Sequence, residues 1–360
     1  MIYSGIFNST SGVNELNEFN MAESITKDLN PTYGTIQALK SRDTNLVSFC
    51  EDKVLKILAN KDALYNADGN TNVTASNAVL GDAKAFVGDY GISSNPESLA
   101  VDSYRMYFTD KQRGKVLRLS QDGLTPISDT GMTSWFRENL KSTYEVLGTF
   151  DEIKGEYNVT LKYPAGGIVT QGYENKTVSF SEGAKGWVSF KSFIPETGLS
   201  MNGEYITGAV GSANVSIWTH HDKTVNANNF YGTQYTSTID VMFNDNPNVI
   251  KAFNTINYEG TQAYVTQDLS DDQYYNLTQK NGWSVSSIET DQQKGQVYEF
   301  IEKEGKWFNY ILGQETNASN YLTNLDVSDL SVQGLGIPNS ITGQTEATEF
   351  ILTIEEQGGD

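Results

Sequence analysis

The 360-residue chain has one cysteine, two histidines and seven prolines, and charged residues make up only 19% of it. A single thiol, Cys50 in LVSFCEDKV, excludes a disulfide framework within the chain and any zinc site that needs two of its cysteines. Cys50 reads as a small hydrophobe buried on a strand. The two histidines, His220 and His221 in WTHHD, are adjacent. Neighbours on a strand point to opposite faces, so they do not suit one metal ion, and a structural role is expected. Basic residues are also scarce. Lys and Arg number 25 against 45 Asp and Glu, a net charge of −20. Such a field opposes non-specific nucleic-acid binding and attachment to an anionic membrane surface. The one local cluster, Lys111, Arg113, Lys115 and Arg118, reads as a solvated turn between strands.

Other signatures are missing. No run approaches the ~18 apolar residues of a membrane span. MIYSGIFNST has neither the basic start nor the apolar core of an export signal, so synthesis in a cytoplasm is expected. There is no Gly-x-Ser-x-Gly elbow. The AGG at 165–167 lacks the Lys-Ser/Thr of a phosphate loop. NADGNTN at 66–72 offers calcium-like oxygens but departs from an EF-hand, and reads as an Asn/Asp turn. The sequons at Asn158 and Asn276 read as composition. Carboxylate pairs for glycoside hydrolysis arise by chance among so many acids.

What is present is strand grammar. Residues 97–128, ESLAVDSYRMYFTDKQRGKVLRLSQDGLTPIS, read as strands joined by polar turns. Leu117 and Leu119 share one strand face while Val116 and Arg118 take the other. This pattern suggests one four-stranded propeller blade. Further strands are expected at 46–50, 53–59, 63–65 and 84–87. Tyr157, Val159 and Leu161 alternate with Asn158, Thr160 and Lys162, which predicts a half-buried strand. Strand pairs are expected in TVSFSEGAKGWVSFKSF and in MNGEYITG with VSIWTHHD, and VIKAFNTINYEG reads as a strand pair or a strand and its edge. TSTIDVMF reads as one strand, VYEFIEKEGKWFNYILG as a hairpin through 303–305, and 349–354 as a final strand. One short helix is expected at 133–141, with Thr133 as its cap. Trp187, Trp218 and Trp307 lie among apolar neighbours and are expected in packing, with subunit contacts or ligand stacking as lesser roles.

The ordered succession NPESLAVDSYRMYFTDKQRGKVLRLSQDGLTPISDTGMTSWFRENL, KTVSFSEGAKGWVSFKSFIPETGLSMNGEYIT, IWTHHD and VIKAFNTINYEG, with SVQGLGIP near the end, resembles a family of virion structural proteins of tailed bacteriophages. They occur in cyanophage-like marine phages and in the muzzle or nozzle of crAss-like gut phages. The resemblance covers roughly residues 40–315. It implies a structural part of the virion tail built from propeller-like modules, with no catalytic residues to carry over.

The expected architecture is all-β, with repeated propeller-like blades and short helical inserts. Residues 1–40 form a lead-in, 41–130 propeller-like blades, 131–145 a short helix, 146–315 further blades with long loops, and 316–360 a loop-rich end closing in a strand. No catalytic, cofactor or metal residues are assigned. The expected role is a non-enzymatic nozzle, muzzle or baseplate component. Its partners would be other copies in a ring and neighbouring tail proteins, with DNA passing nearby unbound and no membrane. A receptor- or glycan-binding tail component is the alternative, and a glycan depolymerase a more distant one.

Overall fold

The computed structural model describes residues 1–22, 24–65, 71–164, 174–210, 215–243, 246, 249, 251–260, 282–289, 294–314, 325–326, 330–332 and 350–357. The chain is all-β, with one short α-helix among the described residues. It divides into two compact units, Met1–Asp222 and Lys223–Asp360.

The first unit is a succession of antiparallel meanders. Sheet one holds β1 (Ile36–Arg42), β2 (Asn45–Cys50), β3 (Val54–Tyr65) and β4 (Thr71–Ala85). Sheet two holds β5 (Ala100–Asp102), β6 (Arg105–Asp110), β7 (Lys115–Ser120) and β8 (Gly123–Pro126). After helix α1 (Thr133–Asn139), sheet three holds β9 (Glu145–Asp151), β10 (Glu156–Lys162), β11 (Lys176–Ser181) and β12 (Gly186–Lys191). Sheet four has three strands, β13 (Thr197–Met201), β14 (Glu204–Val210) and β15 (Val215–Thr219). Each strand pairs with its sequence neighbour, as short polar hairpins require.

Successive sheets pack face on face. Met106 and Phe108 on β6 lie opposite Leu119 and Leu117 on β7. That face meets Val47, Phe49 and Val54 of sheet one, with the Phe49 and Phe108 rings 5.1 Å apart and edge-on. The other face of sheet two carries Tyr107 and Val116. It packs on Phe150, Tyr157, Val159 and Phe180 of sheet three and on Phe136 of α1. Tyr107 stacks on Tyr157 at 4.9 Å and on Phe150 at 5.6 Å. The alternation read at Leu117, Leu119, Val116 and Arg118 therefore holds, with both faces covered.

Several local expectations shift. β10 is not half-buried: Asn158, Thr160 and Lys162 are buried as well, because sheet four covers their face. The break expected near residues 60–62 is absent. β3 runs through it, paired to a β4 that starts well before the predicted strand at 84–87, and bulges absorb the irregular register. Gly198–Met201 also forms a strand where none was read, since Asn202 and Gly203, both at positive φ, make the turn into β14. α1 stops at Asn139 and continues as a 3-10 turn over Leu140–Ser142. Its cap is Met132, while the Thr133 hydroxyl donates to Asp129. Among the described residues of 1–35 there are isolated bridges, Ile2 with Thr26 and Phe7 with Asn14, and a 3-10 turn at Pro31–Tyr33.

In the second unit the strands are β16 (Asn229–Phe230), β17 (Thr233–Gln234), β18 (Thr238–Phe243), β19 (Lys251–Phe253), β20 (Thr255–Tyr258), β21 (Gly282–Glu289), β22 (Lys294–Val297), β23 (Ile301–Lys303), β24 (Lys306–Gln314), β25 (Leu325–Asp326), β26 (Leu330–Val332) and β27 (Phe350–Gln357). The main sheet runs β18-β27-β21-β22-β24-β20, with β23 and β25 also pairing with β24. The final strand thus lies between two earlier ones. The hairpin expected through 303–305 is β23–β24, with Glu304 and Gly305 at positive φ. Ile288 and Ile311 form one small core, Phe300 and Trp307 another.

Gly148 on β9 is where a backbone turn touches a sheet. A Cβ there would lie 2.0 Å from the Ser98 carbonyl oxygen and 2.8 Å from the Tyr157 hydroxyl. That hydroxyl donates to the same carbonyl at 2.7 Å. Gly148→Ala is expected to destabilise the protein by about 1–3 kcal/mol through overpacking. Urea unfolding midpoints check this, with the same change at Gly186, where φ is ordinary and the nearest atom to an added Cβ would be 3.8 Å away, as a control.

Candidate functional site

The groups that carry chemistry in this chain are gathered at the seams between sheets. Asp110, at the end of β6, is fully buried. Its carboxylate accepts from the Arg113 backbone N–H at 3.0 Å and from the Arg113 guanidinium at 3.0 Å. It also accepts from the Ser93 hydroxyl and the Gly91 N–H, both at 3.2 Å. Arg113 reaches on to Asp52 in the β2–β3 turn at 3.2 Å. This carboxylate ties sheet two to sheet one and to the segment leaving it.

Glu182, in the β11–β12 turn, does the same between sheets two and three. Arg118 donates to both its oxygens at 2.9 and 3.2 Å, and the Tyr107 hydroxyl donates at 2.8 Å. Burial, then the bond to Glu182, pushes the Tyr107 hydroxyl far above its usual range. A phenol held neutral in this way remains a hydrogen-bond donor.

The seam between sheets three and four is polar. The Tyr205 hydroxyl on β14 meets Thr149 Oγ1 at 2.7 Å and accepts from Asn158 at 3.2 Å, and Asn158 accepts from Ser179 at 2.5 Å. Lys162 donates to Glu145 at 3.3 Å and to Glu196 at 2.5 Å. Asn158, at the head of one of the sequons, is thus a buried structural amide.

Both histidines belong to this seam, which corrects the expectation that they face apart. β15 ends at Thr219, and His221 adopts φ 63°. The chain has left the strand, so the two rings lie 6.2 Å apart, both beside Tyr205. His220 Nε2 contacts Thr207 Oγ1 at 2.7 Å, and His221 Nε2 contacts Asp151 Oδ2 at 2.7 Å.

The basic cluster is not a solvated turn. Arg113 and Arg118 are in the clamps above, Lys115 pairs with Asp129, and Lys111 donates to the Thr143 carbonyl at 2.6 Å. Cys50 is buried on β2 as expected, and burial raises its thiol pKa. Trp187 packs against Phe136 and Phe180 and donates to the Ile127 carbonyl at 3.1 Å. Trp307 is buried, whereas Trp218 sits part-exposed on the edge strand β15. Residues 165–167, Asn276 and most of 66–72 lie outside the described residues. Among the described residues no group of three or more His, Cys, Asp or Glu side chains could hold a metal ion, and no helix is long and apolar enough to cross a membrane.

The clamp carboxylates were not singled out from the sequence, yet a signal exists. Asp110-Lys-Gln-Arg-Gly114 and Asp151-Glu-Ile-Lys-Gly155 are the same hairpin loop in sheets two and three. In both, the aspartate accepts the N–H three residues on, and the closing glycine has φ near 63–64°. An Asp at the start of a turn with Gly at its end is a local signature. Only the tertiary structure shows that its second oxygen is available for a neighbouring sheet.

Comparison with known proteins follows the same division of the chain. The model of the crassvirus muzzle protein matches residues 17–208, and that of the crassvirus muzzle protein C-terminal domain matches residues 225–314. The chain belongs to the crassvirus muzzle protein family. This makes it a phage structural component of the crAss-like group, as the ordered sequence segments imply. No curated protein matches the chain. Among solved structures, an exo-β-1,3-galactanase from Phanerochaete chrysosporium with galactose is 10% identical, over 87% of this chain and 78% of that one, with a TM-score of 0.25. A variant of that enzyme with β-1,3-galactotriose is 9% identical over 99% of each chain, with a TM-score of 0.22. Overlap that poor carries no argument about this muzzle-family chain.

Two expectations arise from the seams. Asp110→Ala leaves the Arg113 guanidinium and two backbone N–H groups without their buried acceptor. It is expected to cost about 3–5 kcal/mol, read as a shift in the denaturant midpoint. Burial, and next the neighbouring His221, holds the His220 pKa down at about 4 from its usual 6.5. The folded value lies below the unfolded one, so the unfolded chain takes up the proton first as pH falls. This contribution to stability is whole above pH 6.5 and is lost as pH drops from there towards 4. Melting temperatures across that range are expected to fall less steeply for His220→Gln than for the wild-type protein.

Proposed function

We propose that this muzzle-family protein is a non-enzymatic structural component of the phage tail, made in the host cytoplasm and assembled as a ring of identical copies against neighbouring tail proteins. The family match over residues 17–208 and 225–314 carries the reading. The commitment of the chain's charged groups to the seams supports it: Asp110, Glu182, Arg113 and Arg118 are used in holding sheet to sheet. Stiffness, not turnover, is what such an arrangement supplies.

The antiparallel sheets act in this reading as propeller-like blades, with residues 1–40 as a lead-in, 41–130 and 146–315 as the blade regions and 131–145 as a helical insert. With a net charge of −20 the assembled protein would repel phosphate, so DNA passes a ring of such chains without adhering. Trp307 is buried and Trp187 is packed, partly buried, against Phe136 and Phe180, which favours the scaffold; a glycan-binding or depolymerising tail component needs exposed stacking rings, and of the three tryptophans singled out only Trp218 offers one.

Light scattering on the purified chain and its location in virions by cryo-EM test this together. A multiple of the monomer mass, with density around the tail axis, is the expected outcome. A stable monomer located only at fibre tips would replace this reading with the receptor-binding one.

A further inference from the structure

Two surfaces of the first unit expose apolar side chains. One is the N-terminal segment. Ile2, Ile6, Phe7, Leu16 and Phe19 line an open hollow beside Val79 of β4, and they are between 41% and 72% exposed. The segment also has an inner side. Lys27, Leu29, Asn30 and Tyr33 share the walls of a hollow with Leu55 and Ala83, and the Thr35 and Tyr33 carbonyls accept from the Glu51 and Asp52 N–H groups. It therefore covers the outer face of sheet one while presenting apolar side chains outward. Next to it, β3 and β4 run on past the sheet. β2 pairs with β3 only as far as Leu58, whereas β3 and β4 stay paired out to Tyr65 and Thr71. A two-stranded ribbon is marginal in water unless something packs on it.

The other surface is the outer face of sheet four. Ser200, Tyr205 and Thr207 point towards sheet three, which places Leu199, Met201 and Ile217 on the far side. These three are 50%, 54% and 79% exposed. Sheets one to four each cover the next, so this face and the N-terminal segment are the two ends of the row.

We propose that these are the two halves of one contact between copies: the N-terminal segment and ribbon of one chain seat on the outer face of sheet four of the next. This rests on the ring reading above and gives it a surface. Three observations select a second copy as the occupant. Face-on-face stacking is how every other sheet in the row is covered, and the contact continues it. The segment is already two-sided, and its inner side shows that it covers a sheet of this chain. Its charged residues before Lys27 are all acidic, Glu15, Glu18 and Glu23, so pairing two such segments would bring like charges together. A head-to-tail contact keeps the two acidic segments apart, with Glu204, opposite Met201, the one charged side chain that the strands bring to the facing surface, and it repeats around a ring until closed.

Paired variants of the full chain separate the possibilities. Phe7→Asp with Phe19→Asp disables the segment; Leu199→Asp with Ile217→Asp disables the sheet face. Light scattering is expected to show an oligomer for wild type, a monomer for each double variant alone, and a dimer when the two are mixed, since one intact segment then meets one intact face. Circular dichroism verifies that each variant is folded, and Phe19→Ser and Ile217→Ser serve in the same scheme if an aspartate pair is not. A wild-type monomer would overturn both the ring and this contact. Variants that oligomerise like wild type would overturn the contact and leave the ring standing. Monomers that stay monomeric on mixing would overturn the head-to-tail pairing.

Discussion

Every residue of β10 from Tyr157 to Lys162 is buried, although every second one is polar, and the first unit depends on how that conflict is resolved. A sheet covered on both faces needs either two apolar faces or polar partners for the groups it hides. β10 uses one of each. Its tyrosine, valine and leucine pack on sheet two, where dispersion and burial suffice. Its asparagine, threonine and lysine face sheet four: Tyr205 of that sheet accepts from Asn158, Glu196 just before it accepts from Lys162, and Thr160 pairs with Thr177 on the adjacent β11. A one-residue slip of β10 would exchange the faces and strand both sets, so the polar seam fixes register as well as contact.

The same logic explains where the few cations go. With 25 basic side chains against 45 acidic ones, an unpaired buried carboxylate would be a costly arrangement. Asp110 and Glu182, the carboxylates that bridge sheets one, two and three, each have an arginine, and each arginine makes more than one bond to its seam. Arg suits this because its planar fork can serve two acceptors at once. Other acids are paired within the chain as well, Glu145 and Glu196 with Lys162 and Asp151 with His221, and the excess of 45 acids over 25 basic side chains still leaves the chain strongly anionic.

Much of the fold was legible because hairpin chemistry is local. The Leu117/Val116 alternation, the turn through Glu304-Gly305 and the helix beginning at Thr133 are written in neighbouring residues, and the structure has them there. What could not be read is what covers each face. Asn158, Thr160 and Lys162 look like solvent positions until sheet four, some forty residues further on, is laid over them. His220 and His221 look like opposite-facing strand residues because nothing nearby announces that the chain leaves β15 at Thr219. Arg113 and Arg118 look like a basic patch because their partners, Asp52 and Glu182, are 61 and 64 residues away.

The repeated loop, Asp-x-x-basic-Gly at 110–114 and 151–155, shows how one local unit can be put to two uses. In both copies one carboxylate oxygen accepts from the loop N–H three residues on, and in Asp110 it also accepts from the Ser93 hydroxyl. The second is free to reach whatever the tertiary structure brings up: the Arg113 guanidinium and the Gly91 N–H for Asp110, the ring of His221 for Asp151. The two seams therefore differ in chemistry though their loops do not. The arginine seam is an ion pair between sheets one and two, whereas the histidine seam is built from imidazole, hydroxyl and amide groups and holds sheet four, the sheet whose outer face is exposed within the first unit. Weakening that seam would loosen the surface through which this unit is proposed to meet its neighbour, while sheets one to three stay clamped.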